Sequence, residues 1–287
     1  MKGIDLSRAY YEAYGKDMIA EKFPAYRDRI AVGLAGEGSE CLGFDDEISQ
    51  DHDFGAGFCM WLTDEDEAEI GVSLRLAYES LPQEFGGFPA RDPFSFGIQR
   101  LSAMRTSDFY RKFTGFPGGP AQMDEWRAVP ESFLSAAVSG SVFTDELQAF
   151  SSIRARLLEY YPEEIRIEKI WARTEEMARS GPYNYGRCLK RGACAAAIRA
   201  LSLFIEASIS LVYLLNRKYK PYYKWEHRGM KNLPLLPEVH DLIDAVCMRQ
   251  TPDLSRVRLV GEICGALLSE LRTQGLSDCA DQVFAER

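Results

Sequence analysis

Histidine is the scarcest titratable residue of this chain, with three copies among 287 residues, at positions 52, 227 and 240. A zinc site or a Ser-His-Asp triad needs histidines that converge with other ligands or with a nucleophile. Three dispersed histidines give no sequence basis for either kind of site. We interpret His52 as a packed or hydrogen-bonded residue.

Two common phosphate-binding motifs are also missing. The chain has no Gly-Lys-Ser/Thr element, which excludes a P-loop. Gly36-x-Gly38 begins like a dinucleotide fingerprint, but Cys41 stands where the third glycine is needed. Any phosphate site in this protein must therefore be of another type.

Cysteine usage and the amino terminus bear on the compartment. The seven cysteines are too scattered for a zinc ribbon, and their odd number argues against a complete disulfide framework. They fit a reducing cytoplasm. The chain turns acidic at Asp5 and opens with no basic-then-apolar leader. We therefore predict a cytoplasmic protein.

Positive charge is deficient in the first part of the chain. Residues 1–120 contain 12 Lys and Arg against 21 Asp and Glu, whereas residues 121–287 contain 22 of each, so the first segment carries the whole net charge of −9. An acidic surface repels polyanions, so long nucleic acid is not an expected partner. A small triphosphate that arrives with its metal is compatible with this charge.

One apolar run, from Ala193 to Leu215, is long enough to raise the question of a membrane span. Arg199 and Glu206 interrupt it at a spacing of seven residues. We interpret the run as the central helix of a soluble bundle and expect no membrane association.

The most informative segment joins a glycine-rich turn to a pair of carboxylates. The apolar run 30–35 predicts a buried strand, and Gly36-Glu37-Gly38-Ser39 follows it at the start of a short helix, where backbone N–H groups can approach a phosphate. Asp51 and Asp53 are two residues apart, so on a strand both side chains point to the same face. Two converging carboxylates need a cation between them, and Mg²⁺ often bridges such carboxylates to substrate phosphates.

This combination resembles the nucleotidyltransferase superfamily, which has the polymerase-beta-like fold, at Gly38, Ser39, Asp51 and Asp53. The fuller segments also resemble the family catalogued as domain of unknown function 4037; they are EGSECLGFDDE (37–47), SQDHDFG (49–55), YNYGRC (183–188) and NRKYKPYYKW (216–225). The resemblance implies transfer of a nucleoside monophosphate from ATP or a related triphosphate to a hydroxyl of a small molecule or protein. It implies that Asp51 and Asp53 bind Mg²⁺ and that Gly38 and Ser39 hold the β- and γ-phosphates.

The chain departs from the superfamily pattern at the third carboxylate. The best later strand, 96–101, offers Gln99 where an acid is expected. Three alternatives are open: Glu84 or Asp92 serves instead, catalysis uses two carboxylates, or the fold is degenerate. A degenerate fold would bind a nucleotide or a partner without turnover.

A loop rich in glycine and proline, 116–120, predicts a domain boundary, because these residues continue neither a helix nor a strand. We expect a nucleotidyltransferase-like domain with a small mixed sheet at 1–118 and an all-helical bundle at 119–287. The helices are predicted near residues 130–138, 145–160, 163–179, 186–216, 237–249 and 254–273. This is an α+β architecture.

Two groups in the bundle are candidate nucleotide ligands. Lys224, with Arg228 and Lys220, lies in the densest basic cluster of the chain and could face the triphosphate. The alternative is a solvated helix terminus. Tyr185 and Arg187 could hold a base or an acceptor, or could form only an aromatic staple and a polar cap.

Overall fold

The computed structural model describes residues 1–50, 54–92, 94–95, 98–248 and 254–276. The chain divides into two compact units, Met1–Glu159 and Tyr160–Arg287. The first unit is a mixed α+β structure and the second is helical within its described residues. The predicted α+β fold class is confirmed.

The first unit contains a four-stranded mixed sheet and two small hairpins. The strands are β1 (Ala31–Ala35), β2 (Cys59–Leu62), β3 (Glu84–Phe85), β4 (Phe88–Pro89), β5 (Phe94–Ser95), β6 (Ile98–Gln99), β7 (Ser102–Arg105) and β8 (Gly140–Thr144). The sheet has the order β7-β2-β1-β8, in which β1 is antiparallel to β2 and β8, and β2 is parallel to β7. β3 pairs with β4, and β5 pairs with β6.

The first unit also contains helices. They are α1 (Gly3–Tyr10), α2 (Lys16–Lys22), α3 (Ser39–Leu42), α4 (Asp64–Glu79), α5 (Thr106–Thr114), α6 (Met123–Ala128), α7 (Glu131–Val138) and α8 (Ser151–Leu158), and a π-helical turn at Tyr11–Gly15 joins α1 to α2. Thr63 caps the start of α4: its side chain accepts a hydrogen bond from the N–H of Asp66 (3.1 Å) ahead of an acidic first turn.

The strands alternate between two apolar faces. Val32, Met60 and Leu62 are fully buried and belong to one core cluster with residues of α2 and α4. On the other face Trp61 stacks on Phe150, with ring centroids 3.9 Å apart. The strand β1 is thus buried along its whole length, which holds the turn that follows it in a fixed place.

The boundary between the two units lies after Glu159, later in the chain than the boundary predicted at residue 118. The boundary predicted at residue 118 lies inside the first unit, because β8 pairs with β1 and Tyr110 donates a hydrogen bond to the carbonyl of Phe150 (3.0 Å). Arg156 also donates to the carbonyl of Pro120 (2.6 Å), which ties the glycine- and proline-rich loop to α8. The loop therefore connects two parts of the same unit.

The second unit is built around one long helix. Its helices are α9 (Glu163–Ala178), α10 (Gly186–Lys190), α11 (Cys194–Leu215), α12 (Tyr223–Met230), α13 (Pro237–Cys247) and α14 (Leu254–Thr273), with a π-helical segment at Arg179–Tyr185. α11 packs against α9, α12, α14 and the π-helical segment. The helix predicted at 186–216 is therefore two helices, separated at Gly192, whose φ is +68°.

By length and composition α11 could cross a membrane, but 67% of its most apolar window is buried inside the structure. The core helix of a bundle passes the same test of length and composition. The packing of α11 fits the central bundle helix that the sequence predicts.

Candidate functional site

The predicted strand, glycine turn and short helix are present. β1 ends at Ala35, and α3 begins at Ser39. Gly36 has φ +111°, and Gly38 has φ +121° and ψ 151°. Residues with a Cβ rarely adopt these backbone conformations, so the turn depends on glycine at both positions.

The space beside Gly38 already holds an anion. A Cβ at Gly38 would lie 2.5 Å from Oε2 of Glu40, so the missing side chain makes room for that carboxylate. Arg91 donates to Oε1 of Glu40 at 2.6 Å, and each of the two side chains is only 7% exposed. The sequence predicts substrate phosphates at Gly38, whereas in the structure the Glu40 carboxylate fills this position.

Asp51 and Asp53, the predicted metal ligands, lie outside the described residues. The sequence analysis places both on a strand, which it continues through residues 58–62, whereas β2 begins only at Cys59 and residues 54–58 are not part of it. Gly33 pairs with Cys59 in antiparallel register, so β2 begins at the same end of the sheet at which β1 ends. The end of β1 and the start of β2 therefore lie side by side at one end of the sheet.

The strand beside β2 is not the one that the sequence analysis selects. Ile98–Gln99 forms β6 and pairs with β5, whereas β7, at Ser102–Arg105, is parallel to β2. Gln99 thus stands outside the four-stranded sheet, because its strand pairs with β5. None of the four residues of β7, all within the described part of the chain, is an acid. Of the alternatives, Glu84 is exposed on β3, and Asp92 is also exposed.

A cavity of about 320 Å³ lies against the turn. It is lined by residues of the turn, the sheet, α4 and α5, which are Ala35, Glu37, Glu67, Arg75, Arg100, Met104, Arg105, Asp108, Phe109, Lys112 and Phe113. Four of these side chains are cationic and three are acidic. A second cavity between α2 and α4 has one charged lining residue, Lys22, and does not include the turn. We call the first one the cationic pocket.

Ion pairs organise the acids of the cationic pocket. Glu67 accepts hydrogen bonds from Arg75 (2.9 Å) and Arg105 (2.8 Å), and these bonds, that from Arg75 first, lower the pKa of its carboxyl. Lys112 lies 3.1 Å from Oε2 of Glu37. Arg100 donates to the carbonyl of Glu37 at 2.8 Å. The pocket thus holds preorganised cations beside the glycine turn, and its acids already have basic partners.

Asp108 completes this arrangement, because its carboxylate pairs with Arg111 at 2.7 Å, outside the pocket lining. Every acid of the lining is thus compensated, and the formal charge of the lining side chains is +1. An anionic ligand meets no uncompensated carboxylate here, which favours phosphate or carboxylate recognition.

The candidate ligands of the second unit differ in accessibility. Lys224 and Arg228 are exposed on α12, and the Arg228 guanidinium lies 5.8 Å from the centroid of the Trp225 ring. Arg187 is exposed and lies over the ring of Tyr183. Tyr185 is 1% exposed, so its ring is part of the core and offers no surface for stacking on a base.

Lys220, which was predicted as a further cation facing the triphosphate, has an internal partner instead. It is buried and forms an ion pair with Glu226 at 2.9 Å. This pair compensates its charge within the second unit. The basic cluster is thus divided between an internal ion pair and two exposed cations on α12.

Sequence reasoning missed the cations of the cationic pocket. Arg75 is on α4, Arg100 and Arg105 flank or end β7, and Lys112 is on α5, so only tertiary packing brings them together. The sequence analysis instead placed the phosphate-binding cations in the second unit.

Comparisons with known proteins support the family resemblance over part of the chain. The model of the family described as Domain of unknown function (DUF4037) matches residues 126–226, about a third of the chain. This confirms the predicted resemblance in a region that includes segments 183–188 and 216–225. The glycine turn and the Asp51–Asp53 pair lie outside the match. No curated protein matches significantly.

Among solved structures, this chain is similar to a nucleotidyltransferase-like protein from Exiguobacterium sibiricum 255-15. The two share 13% sequence identity, the TM-score is 0.38, and the alignment covers 98% of this chain and 80% of that one.

Proposed function

We propose that this protein binds a nucleoside triphosphate, with ATP as the first candidate, through the cationic pocket and the adjoining glycine turn. The observation that carries the proposal is the convergence of Arg75, Arg100, Arg105 and Lys112 on a cavity that is also lined by Glu37 of the glycine turn. A triphosphate has three to four negative charges, and preformed arginine and lysine donors are the usual means of holding them. The volume of about 320 Å³ is at the lower end of ligand pockets.

The position of Glu40 directs the phosphates to one side of the turn. Its carboxylate lies against Gly38, so a phosphate placed there would meet like charge at close range. On the side of Glu37, by contrast, Lys112 and Arg100 are present. We therefore assign the phosphate contacts to Lys112 and Arg100, with the backbone of the turn and Ser39 as further donors.

The reaction that we propose is transfer of a nucleoside monophosphate to a hydroxyl of a small molecule or protein. Asp51 and Asp53 would hold Mg²⁺, as the family resemblance implies, since Glu37 of the turn and Glu40 of α3 are already paired with Lys112 and Arg91. When bound, Mg²⁺ neutralises phosphate charge and lowers the pKa of a coordinated oxygen nucleophile. The residues of the pocket hold and orient the triphosphate for in-line attack.

The binding step is tested by titrating a fluorescent ATP analogue, with Mg²⁺, into the wild type and two single variants. Lys112→Ala removes a cation of the pocket. Arg111→Ala, its matched control, removes the neighbouring cation of α5, which lies outside the lining. We expect Lys112→Ala to weaken binding by about 1.5–3 kcal/mol, the contribution of a hydrogen bond to a charged group, and Arg111→Ala to leave it nearly unchanged.

Equal affinities in these two variants would contradict the assignment of the pocket. The exposed ion pair of Lys112 with Glu37 contributes only about 0–1 kcal/mol to stability, so both variants are expected to fold. Lys224→Ala, measured in the same titration, tests whether the exposed cation of α12 adds to phosphate affinity.

A second candidate function is nucleotide binding without turnover. The absence of an acid on β7, beside β2, favours it, because the superfamily pattern expects a third carboxylate from a later strand. Release of pyrophosphate from ATP in the presence of candidate acceptors, lost in Asp53→Asn, supports the transferase. ATP binding without pyrophosphate release, and unchanged in Asp53→Asn, supports the binding module.

A further inference from the structure

Two of the three histidines come together in the second unit. Nε2 of His227, on α12, lies 3.7 Å from Oδ1 of Asp244, and Nδ1 of His240 lies 3.9 Å from Oδ2 of the same carboxylate, on α13. One ligand atom from each of the three residues lies within 4.8 Å of the others. This is the only such group of three or more His, Cys, Asp or Glu found among the described residues.

The helices explain the convergence. His240 and Asp244 are four residues apart on α13, so they occupy one face of that helix, one turn apart. α12 packs against α13 and supplies His227 from the opposite side. The imidazole rings of His227 and His240 are stacked, with centroids 4.1 Å apart and an angle of 14° between their planes.

We propose that His227, His240 and Asp244 form a binding site for a divalent transition metal ion, with zinc as the preferred occupant. Two imidazole nitrogens and one carboxylate oxygen are a common ligand set for zinc, and three protein ligands leave the fourth tetrahedral position for water. Such an ion would link α12 to α13. The site is separate from the cationic pocket, whose residues all belong to the first unit.

Metal binding requires a small rearrangement. The lone pair of an imidazole nitrogen lies in the ring plane, and two nearly parallel rings cannot both place a shared ion in their planes. His227 is the ring with room to turn, because its side chain is 30% exposed, whereas that of His240 is 5% exposed. The turn gives up the stacking of the two rings and the contact of Nε2 of His227 with the carbonyl of His240 at 3.2 Å.

The surroundings allow an ion to enter. The Asp244 side chain is 56% exposed, which opens the carboxylate to solvent. Nδ1 of His240 now contacts Oδ1 of Asp241 at 2.9 Å, and the exposed Asp241 can turn away when the metal takes this nitrogen. Any proton on the ligating nitrogens is released on binding, as in other metal sites.

The test uses the full-length chain, freed of metal with a chelator, and zinc competition against a chromophoric chelator. The wild type is expected to bind one zinc ion per chain. Asp244→Asn weakens a ligand, and His227→Phe keeps a stacked ring on His240 without a ligand nitrogen. Each is expected to lower zinc affinity by at least about tenfold, since even indirect partners of metal ligands matter by 10- to 100-fold. Glu238→Gln, on an exposed position of α13, makes the same charge change as Asp244→Asn and is the matched control.

Two further readouts separate a site from loose surface binding. At a zinc concentration close to the wild-type Kd, zinc is expected to raise the Tm of the wild type and of Glu238→Gln and to leave that of Asp244→Asn almost unchanged, since stabilisation by mass action depends on the ratio of free zinc to Kd. Cobalt is then added in place of zinc to the wild type and to Asp244→Asn. Of these two proteins, only the wild type is expected to show the visible absorption of a tetrahedral cobalt complex. Equal zinc affinity in wild type and Asp244→Asn, or no one-to-one binding, would overturn the proposal and leave the cluster as a hydrogen-bonded helix contact.

Discussion

Removing one partner of the buried pair between Arg91 and Glu40 is expected to destabilise the first unit strongly. The two side chains are 2.6 Å apart and each is 7% exposed, so neither can recover water when the other is lost. Loss of one partner of a buried ion pair costs about 3–5 kcal/mol, because the remaining charge stays buried without compensation. We expect Arg91→Met to have an effect of this size.

Glu40→Gln is expected to cost less than Arg91→Met. In Glu40→Gln the neutral amide still accepts a hydrogen bond from Arg91, whereas in Arg91→Met the buried carboxylate loses its donor at 2.6 Å and is compensated only in part by Arg100, 4.0 Å from Oε1. In the double variant Arg91→Met with Glu40→Gln, no unpaired charge remains from the pair. Its cost is therefore expected to be smaller than the sum of the two single costs, by about 1–3 kcal/mol.

Urea unfolding of the wild type, both single variants and the double variant gives this coupling energy. Midpoints are compared at equal m-values, so that the change reports native stability rather than the compactness of the unfolded state. A cost below about 1 kcal/mol for Arg91→Met, the range of exposed pairs, would refute the reasoning. So would strict additivity, because it would show that the two charges do not compensate each other.

Three other predictions follow from the described residues. Gly38→Ala places a Cβ against the Glu40 carboxylate and in a backbone conformation that is essentially confined to glycine, so it is expected to lower the free energy of unfolding by about 1–3 kcal/mol or more; an unchanged urea midpoint would contradict this. Burial raises the pKa of Tyr10 from 10.0 to about 12, so the contribution of its neutral form to stability is complete below pH 10 and is lost as the pH rises through 12. In urea titrations over that pH range, Tyr10→Phe is expected to lose less unfolding free energy than the wild type. Burial raises the pKa of Cys59 to about 12 and that of Cys41 well above its usual value, so iodoacetamide at pH 8 is expected to label exposed Cys194 and leave both buried thiols unmodified until denaturant is added.

The elements that local signals encode were predictable. The apolar run ending at Ala35 and the glycines after it are adjacent in sequence, and they form a strand and a turn in the structure. The helix at 254–273 has the predicted bounds, and those at 130–138 and 163–179 differ by one residue at an end. In each case periodic apolar residues and flanking breakers lie within one stretch of chain.

The elements that depend on distant partners were not predictable. β8 has only two large apolar residues, Val142 and Phe143, and its residues are half-buried, so its sequence alone gives a weak strand pattern. Its pairing with β1, about 100 residues earlier, makes it a strand. The stacking of His227 on His240 likewise depends on how α12 packs against α13. Only the four-residue spacing of His240 and Asp244, which is about one helical turn, can be read from the sequence.

The cationic pocket changes the electrostatic reasoning about the acidic first segment. A net charge of −9 over residues 1–120 suggested that phosphate-binding cations must come from the second unit. Yet Arg75, Arg100, Arg105 and Lys112 all belong to that same acidic segment, and the acids that line the pocket are paired with bases. Local arrangement therefore outweighs net charge: recognition of an anion depends on the few side chains within hydrogen-bonding range, and distant surface charge is screened over about 8–10 Å at physiological salt. The proposed triphosphate site in the first unit therefore invokes no basic residue of α12, and Lys224→Ala tests separately whether Lys224 contributes.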